Sequence, residues 1–213
     1  MNSQTEKLIL EGASGAIEAQ RDHPADGTTP RGVAVIAHPH PLFGGTMDNK
    51  VVQTLARAFV ASGWTAVRFN FRGVGASAGL HDEGRGETDD YRAVVAQLAP
   101  SGALAVAGFS FGAFVAINAL QSLWSERDVS SVALVGASVA RVLPPPLPEG
   151  ARERAIVVHG EADDTVALAA VMDWARPQSL PVTVVPGGGH FFHGQLPLLR
   201  SLVVRHLSVD PGA

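Results

Sequence analysis

Ala103-Leu104-Ala105-Val106-Ala107-Gly108-Phe109-Ser110-Phe111-Gly112-Ala113-Phe114-Val115-Ala116-Ile117-Asn118-Ala119-Leu120 joins a short apolar, β-like run to a helix-like run through five residues, Gly108 to Gly112. A strand, a G-x-S-x-G turn and a helix in that order form a very tight reversal. The residues two before and two after the serine must lack bulky side chains, and both are glycine. Ser110 is then expected in a strained backbone region with its Oγ standing clear of the sheet. The following helix points its N-terminus, with free N–H groups and the positive end of its dipole, at the same spot.

The rest of the chain provides partners for that strand. Thr5–Leu10 and Ala16–Gln20 read as two short strands around the turn Gly12-Ala13-Ser14-Gly15. Residues 21–31 form a loop. Gly32–His38 (GVAVIAH) is a continuous apolar run, the mark of a strand covered on both faces. A rigid loop follows, His38-Pro39-His40-Pro41-Leu42-Phe43-Gly44-Gly45, then a helix over Met47–Ser62 and a strand over Thr65–Phe71. Residues 72–86 are glycine-rich and irregular, and Thr88–Leu98 is helix-like. Beyond the central helix come strands at Ser131–Ala137, Arg154–His159 and Pro181–Val185. Helices are expected at Ala167–Ala175 and Gln195–Leu207. Strands alternating with helices predict an α/β fold: a mostly parallel sheet of about seven or eight strands, helices on both faces. No linker or internal repeat divides residues 1–213, so one domain is expected.

Composition narrows the function. Apolar residues make up 46% and charged residues 17% of the 213, enough for a substantial core. A net charge of −4 argues against nucleic acid or an anionic membrane as partner. The absence of cysteine removes disulfides, thiolate nucleophiles and cysteine metal sites. Met1–Lys7 lacks the basic start of a signal peptide, and no run approaches the ~20 apolar residues of a membrane span. A cytoplasmic protein is the expectation.

Ligands of such sheets gather beyond the carboxyl ends of the strands. An alcohol placed there needs a base, a group to orient that base, and donors for the oxyanion. After strand 154–159 comes His159-Gly160-Glu161-Ala162-Asp163-Asp164-Thr165-Val166, where either aspartate could face the active edge or simply start the next helix. After strand 181–185 comes Pro186-Gly187-Gly188-Gly189-His190-Phe191-Phe192-His193, a glycine-rich loop presenting histidine. Serine, acid and histidine thus follow three different strands, in that chain order.

With its HPHPLFGG loop, RFNFRGVGAS, GFSFG, HGEADDTV and GGGHFF, the chain resembles the α/β-hydrolase superfamily over nearly its whole length. It is most similar to a bacterial group of small, lidless hydrolases with an HPHP-x-x-GGTM loop. By position, the resemblance implies Ser110 as nucleophile, Asp163 as orienting acid and His190 as base, with Asp164 and His193 disfavoured. Chemistry on these three side chains needs no cofactor and no metal, and none is expected.

One oxyanion donor is expected from the N–H of Phe111. The second should come from the loop after strand 32–38. Pro39 and Pro41 have no N–H, which leaves His40 or Leu42. The imidazoles of His38 and His40 are expected to hold the loop by hydrogen bonds. Gly73-Val74-Gly75-Ala76-Ser77-Ala78 matches G-x-G-x-x-A, but further glycines follow where a dinucleotide site needs a helix. The acids from Asp82 to Asp90 read as a solvated loop with negative charge at a helix start. Residues 138–153, which hold four prolines, are too short for a lid; Leu42, Phe43, Phe111, residues 139–147, Phe191 and Phe192 would wall an open, shallow site. The expected activity is cleavage of small or medium carboxylic esters through an acyl-enzyme. Peptidase, thioesterase, acyltransferase or perhydrolase chemistry on the same residues is the alternative, and a non-catalytic binding module the rival of another class.

Overall fold

The computed structural model describes residues 5–25 and 27–208, so the reading of the first four residues lies outside the described chain. Among the described residues, eight strands form one sheet: β1 (Glu6–Gly12), β2 (Gly15–Asp22), β3 (Val33–Ala37), β4 (Thr65–Phe69), β5 (Leu104–Phe109), β6 (Val129–Val135), β7 (Ala155–Gly160) and β8 (Val182–Val185). Their order is β1-β2-β4-β3-β5-β6-β7-β8. β1 and β2 are a hairpin, and β2 runs antiparallel to β4. All other pairs are parallel. Parallel strands need long crossovers, supplied here by α1 (Lys50–Ala61), α2 (Arg85–Leu98), α3 (Phe111–Glu126) and α4 (Leu168–Ala175), with α5 (Leu196–Ser208) closing the chain.

The uninterrupted apolar strands are explained by helices on both faces. Every residue of β5 is buried. Val35 and Val106 point to the face covered by α2, α3 and α4; Ile36 and Ala107 point to the face covered by α1 and α5. Alternation along each strand therefore feeds two separate cores.

Several helix boundaries are set by side chains that apolar periodicity does not weigh. α1 starts at Lys50, because Asn49 caps it by accepting from the Val51 N–H. α2 starts at Arg85, three residues before the expected Thr88. The Glu87 carboxylate turns back to accept from the N–H groups of Asp82 and Gly84. Residues 138–151 contain no helix or strand, only a 3-10 turn at Arg152–Arg154 follows, and no lid domain is present among the described residues. No helix of the described residues is long and apolar enough to cross a membrane.

Candidate active site

Ser110 closes β5 and immediately precedes α3, with φ 57° and ψ −118°. Positive φ is rare outside glycine and is held here by its surroundings. Its N–H donates to the Val135 carbonyl, and its own carbonyl accepts from Ala113, Phe114 and Ser138. A Cβ on Gly108 would collide with the Gly112 carbonyl, and one on Gly112 with the carbonyls of Ala37 and His38. Both glycines are therefore demanded by the close approach of β3, β5 and α3.

Three strand ends bring Ser110, Asp163 and His190 together. His190 Nε2 lies 2.9 Å from Ser110 Oγ, and His190 Nδ1 lies 2.7 Å from Asp163 Oδ2. An ionised Asp163 accepts only, so Nδ1 carries the proton and Nε2 keeps a lone pair for the serine hydroxyl. Burial by itself would raise the Asp163 pKa; the His190 hydrogen bond and the N–H groups of Val166 and Thr165 outweigh it and hold the carboxyl below its usual range. Asp163 does not cap α4, which starts five residues further on, after Ala167. Asp164 and His193 are exposed and outside this chain of hydrogen bonds.

The loop after β3 lies beside the serine. The Leu42 N–H is turned onto His40 Nδ1 at 3.3 Å. The His40 carbonyl accepts from Phe43 and Gly45, while the His40 N–H has no hydrogen-bond partner among the described residues. His38 is wholly buried. Its Nδ1–H donates to the Pro39 carbonyl and its Nε2 accepts from the Phe71 N–H, tying the ends of β3 and β4 together. Burial, only partly offset by the Pro39 carbonyl, drives its pKa down to about 4, so it is a neutral strut.

The expected walls divide. Leu42, Phe43 and Phe191 are exposed, with Phe191 5.1 Å from His190 between ring centres. Phe111 is nearly buried beneath His40, its ring 4.8 Å from the imidazole. Phe192 is a correction. At φ 51° its side chain turns inward and is fully buried in the core with α1 and α5, so it is no wall. Alternation about a glycine-rich loop does not reveal that inward turn.

The acidic stretch is also different from a solvated loop. Glu87 and Asp90 are buried. Asp90 takes a bidentate contact from Arg72 at 2.9 and 2.8 Å, and Arg72 also donates to the Gly86 carbonyl. No role is expected from sequence for His81 or His159, and Arg141 is expected only as part of the 139–147 wall, with no role for its charge. His81 sits 4.7 Å from His40 between ring centres, and Arg141 lies over Phe43 at 5.8 Å. A cation or imidazole in an irregular loop leaves no periodic signal. His159 stood within the HGEADDTV motif, four residues before Asp163, and that spacing was its available signal.

Comparison with known proteins agrees with this architecture. Residues 17–137, more than half of the chain, match the family described as X-Pro dipeptidyl-peptidase (S15 family). An uncharacterized protein of Rickettsia prowazekii (strain Madrid E), RP471, is 30% identical over 206 residues, covering 87% of this chain and 82% of that protein. The crystal structure of XC6422 from Xanthomonas campestris, described as an a/b serine hydrolase without lid, is 36% identical with a TM-score of 0.82 over 98% of this chain and 95% of that one. An alpha-beta serine hydrolase homologue from Coxiella burnetii is 36% identical with a TM-score of 0.79, over 95% and 97% of the two chains. By sequence match and by fold, the chain belongs to the S15 family within the α/β-hydrolase superfamily, as a hydrolase built without a lid.

Proposed function

We propose that the protein is a serine esterase that cleaves carboxylic esters of small or medium acyl groups through an acyl-enzyme. The observation that carries this reading is the continuous hydrogen-bond chain from Ser110 Oγ through His190 to Asp163. His190 Nε2 takes the serine proton as Oγ attacks the ester carbonyl, and Asp163 stabilises the imidazolium. The oxyanion is received by the N–H of Phe111, at the start of α3, and by the unpartnered N–H of His40. His190 then protonates the leaving alcohol. Water, deprotonated by the same histidine, releases the acid. The acting unit is the whole chain as one domain, working on a soluble substrate in the cytoplasm.

The S15 description names a dipeptidyl-peptidase, whose substrate presents a free α-ammonium group. A site for that group needs an available carboxylate. Near Phe111 and Phe43 stand His40, His81 and Arg141 instead. Glu87, on the same side, is fully buried and engaged. The balance of charge favours an ester over an amino-terminal dipeptide.

The test compares p-nitrophenyl butyrate with a chromogenic Xaa-Pro anilide, using wild type and Ser110→Ala. Turnover of the ester should fall on the order of 10⁴–10⁶-fold in the variant. Faster cleavage of the anilide than of the ester, or ester cleavage that survives the substitution, would sink the proposal.

A further inference from the structure

The mouth of the site carries a charge pattern that ester cleavage alone does not require. His40 packs 4.8 Å from Phe111, 4.8 Å from Phe43 and 4.7 Å from His81, all between ring centres. The Arg141 guanidinium lies 5.8 Å over the Phe43 ring. Arg141 belongs to the loop after β6 and Phe43 to the loop after β3, so the two meet across the β5 end that bears Ser110. Arg141 is exposed and has no carboxylate partner among the described residues. The acids of the neighbouring loop are occupied. Glu87 is buried, 2.7 Å from His81 Nδ1, and accepts two N–H groups. Asp82 holds Arg85 and the Gly86 N–H, and Glu83 lies 3.7 Å from Arg85. The loops after β3 and β6 also expose apolar side chains: Leu42, Phe43, Val142 and Leu143 are each at least 60% exposed.

The direction of the substrate follows from the esterase reading, on which this inference rests. The leaving oxygen must reach His190 Nε2 to be protonated, and His190 packs against Phe109 and Phe191. The acyl chain then extends the other way, past Phe111 and His40 and along Phe43. At the end of that path stands an unpaired guanidinium, a donor set whose planar fork matches a carboxylate. We propose that the preferred substrates are hemiesters of dicarboxylic acids, their methylenes lying on Phe43 and their free carboxylate bound by Arg141 beside His40.

The experiment measures kcat/KM for p-nitrophenyl hemiesters of succinate, glutarate, adipate and suberate against neutral acyl esters of equal length. Wild type should favour the charged ester at one of these lengths by about 10-fold or more. Arg141→Gln should bring that ratio close to unity, and Arg141→Lys should restore part of it. Equal rates for charged and neutral esters in wild type, or a preference that survives Arg141→Gln, overturns the proposal and leaves the esterase reading standing. Turnover of neither ester class overturns the esterase reading. Calorimetric titration of Ser110→Ala with the free dicarboxylates, with and without Arg141→Gln, then reads the anion site alone: binding that depends on Arg141 supports it, and no binding rejects it.

Discussion

His159 Nε2 lies 3.5 Å from Asp163 Oδ2 and 2.9 Å from the Val166 carbonyl, to which it donates. Both side chains are removed from solvent, and burial foremost lowers the His159 pKa, keeping the ring neutral. The ring thus pins the turn from Gly160 to Val166, which carries Asp163. His159→Ala should lower kcat on the order of 10–100-fold through misplacement of the acid, with KM little changed. His159→Gln, whose amide can reach the same carbonyl, should recover much of that loss. Steady-state kinetics separates this from general destabilisation, which would reduce the active fraction and leave no rescue by glutamine.

Asp163 Oδ2 receives the His190 Nδ1 proton while Oδ1 accepts from Thr165 and Val166. Asp163→Asn preserves shape but offers His190 an N–H donor where it needs an acceptor. The imidazole then turns its lone pair to Asn and its proton to Ser110. Loss of kcat on the order of 10⁴-fold is expected. An asparagine variant within tenfold of wild type would remove Asp163 from the mechanism.

Gly112→Ala should abolish activity and impair folding. Its Cβ would press on backbone carbonyls of Ala37 and His38, which cannot swing away as a flexible side chain does. Overpacking of this kind costs roughly 1–3 kcal/mol or more. Urea unfolding of the purified variant checks the stability, and ester turnover of the folded fraction checks the elbow geometry.

Arg72 and Asp90 form a buried bidentate pair joining the loop after β4 to α2. Asp90→Ala leaves the guanidinium buried without its counter-charge, a loss of about 3–5 kcal/mol. A shift of the urea midpoint corresponding to less than 1 kcal/mol, on the order of an exposed pair, would contradict the burial.

Acid should destabilise the fold well above the carboxylate range. Burial lowers the pKa values of His38, His159 and His206 from 6.5, that of His38 to about 4. As pH falls through 6.5 the unfolded chain takes up protons that the folded chain refuses. Stability is therefore complete above 6.5 and declines below it, for His38 until about pH 4. The slope approaches about 1.4 kcal/mol per pH unit for each such histidine. Urea midpoints measured between pH 7.5 and 4.5 should fall steadily; a flat profile to pH 4.5 would contradict it.

The α/β alternation and the G-x-S-x-G turn were legible because both are local. Continuous apolar runs such as GVAVIAH report strands covered on two faces, and Gly108 and Gly112 report a backbone approach that excludes any Cβ. The order of serine, acid and histidine after three strands was legible for the same reason, since a parallel sheet puts successive strand ends on one edge. Other features depended on what the loops meet in space. His40 turns its ring onto the Leu42 N–H and leaves its own N–H unpartnered; Phe192 folds inward at positive φ; Arg141 crosses to Phe43 from a loop about a hundred residues away in sequence. Hydrophobic period and turn chemistry act over a few residues and are written in the chain. Which donor stays unpaired and which cation ends beside the site is decided by contacts between distant loops, and only the tertiary structure holds those.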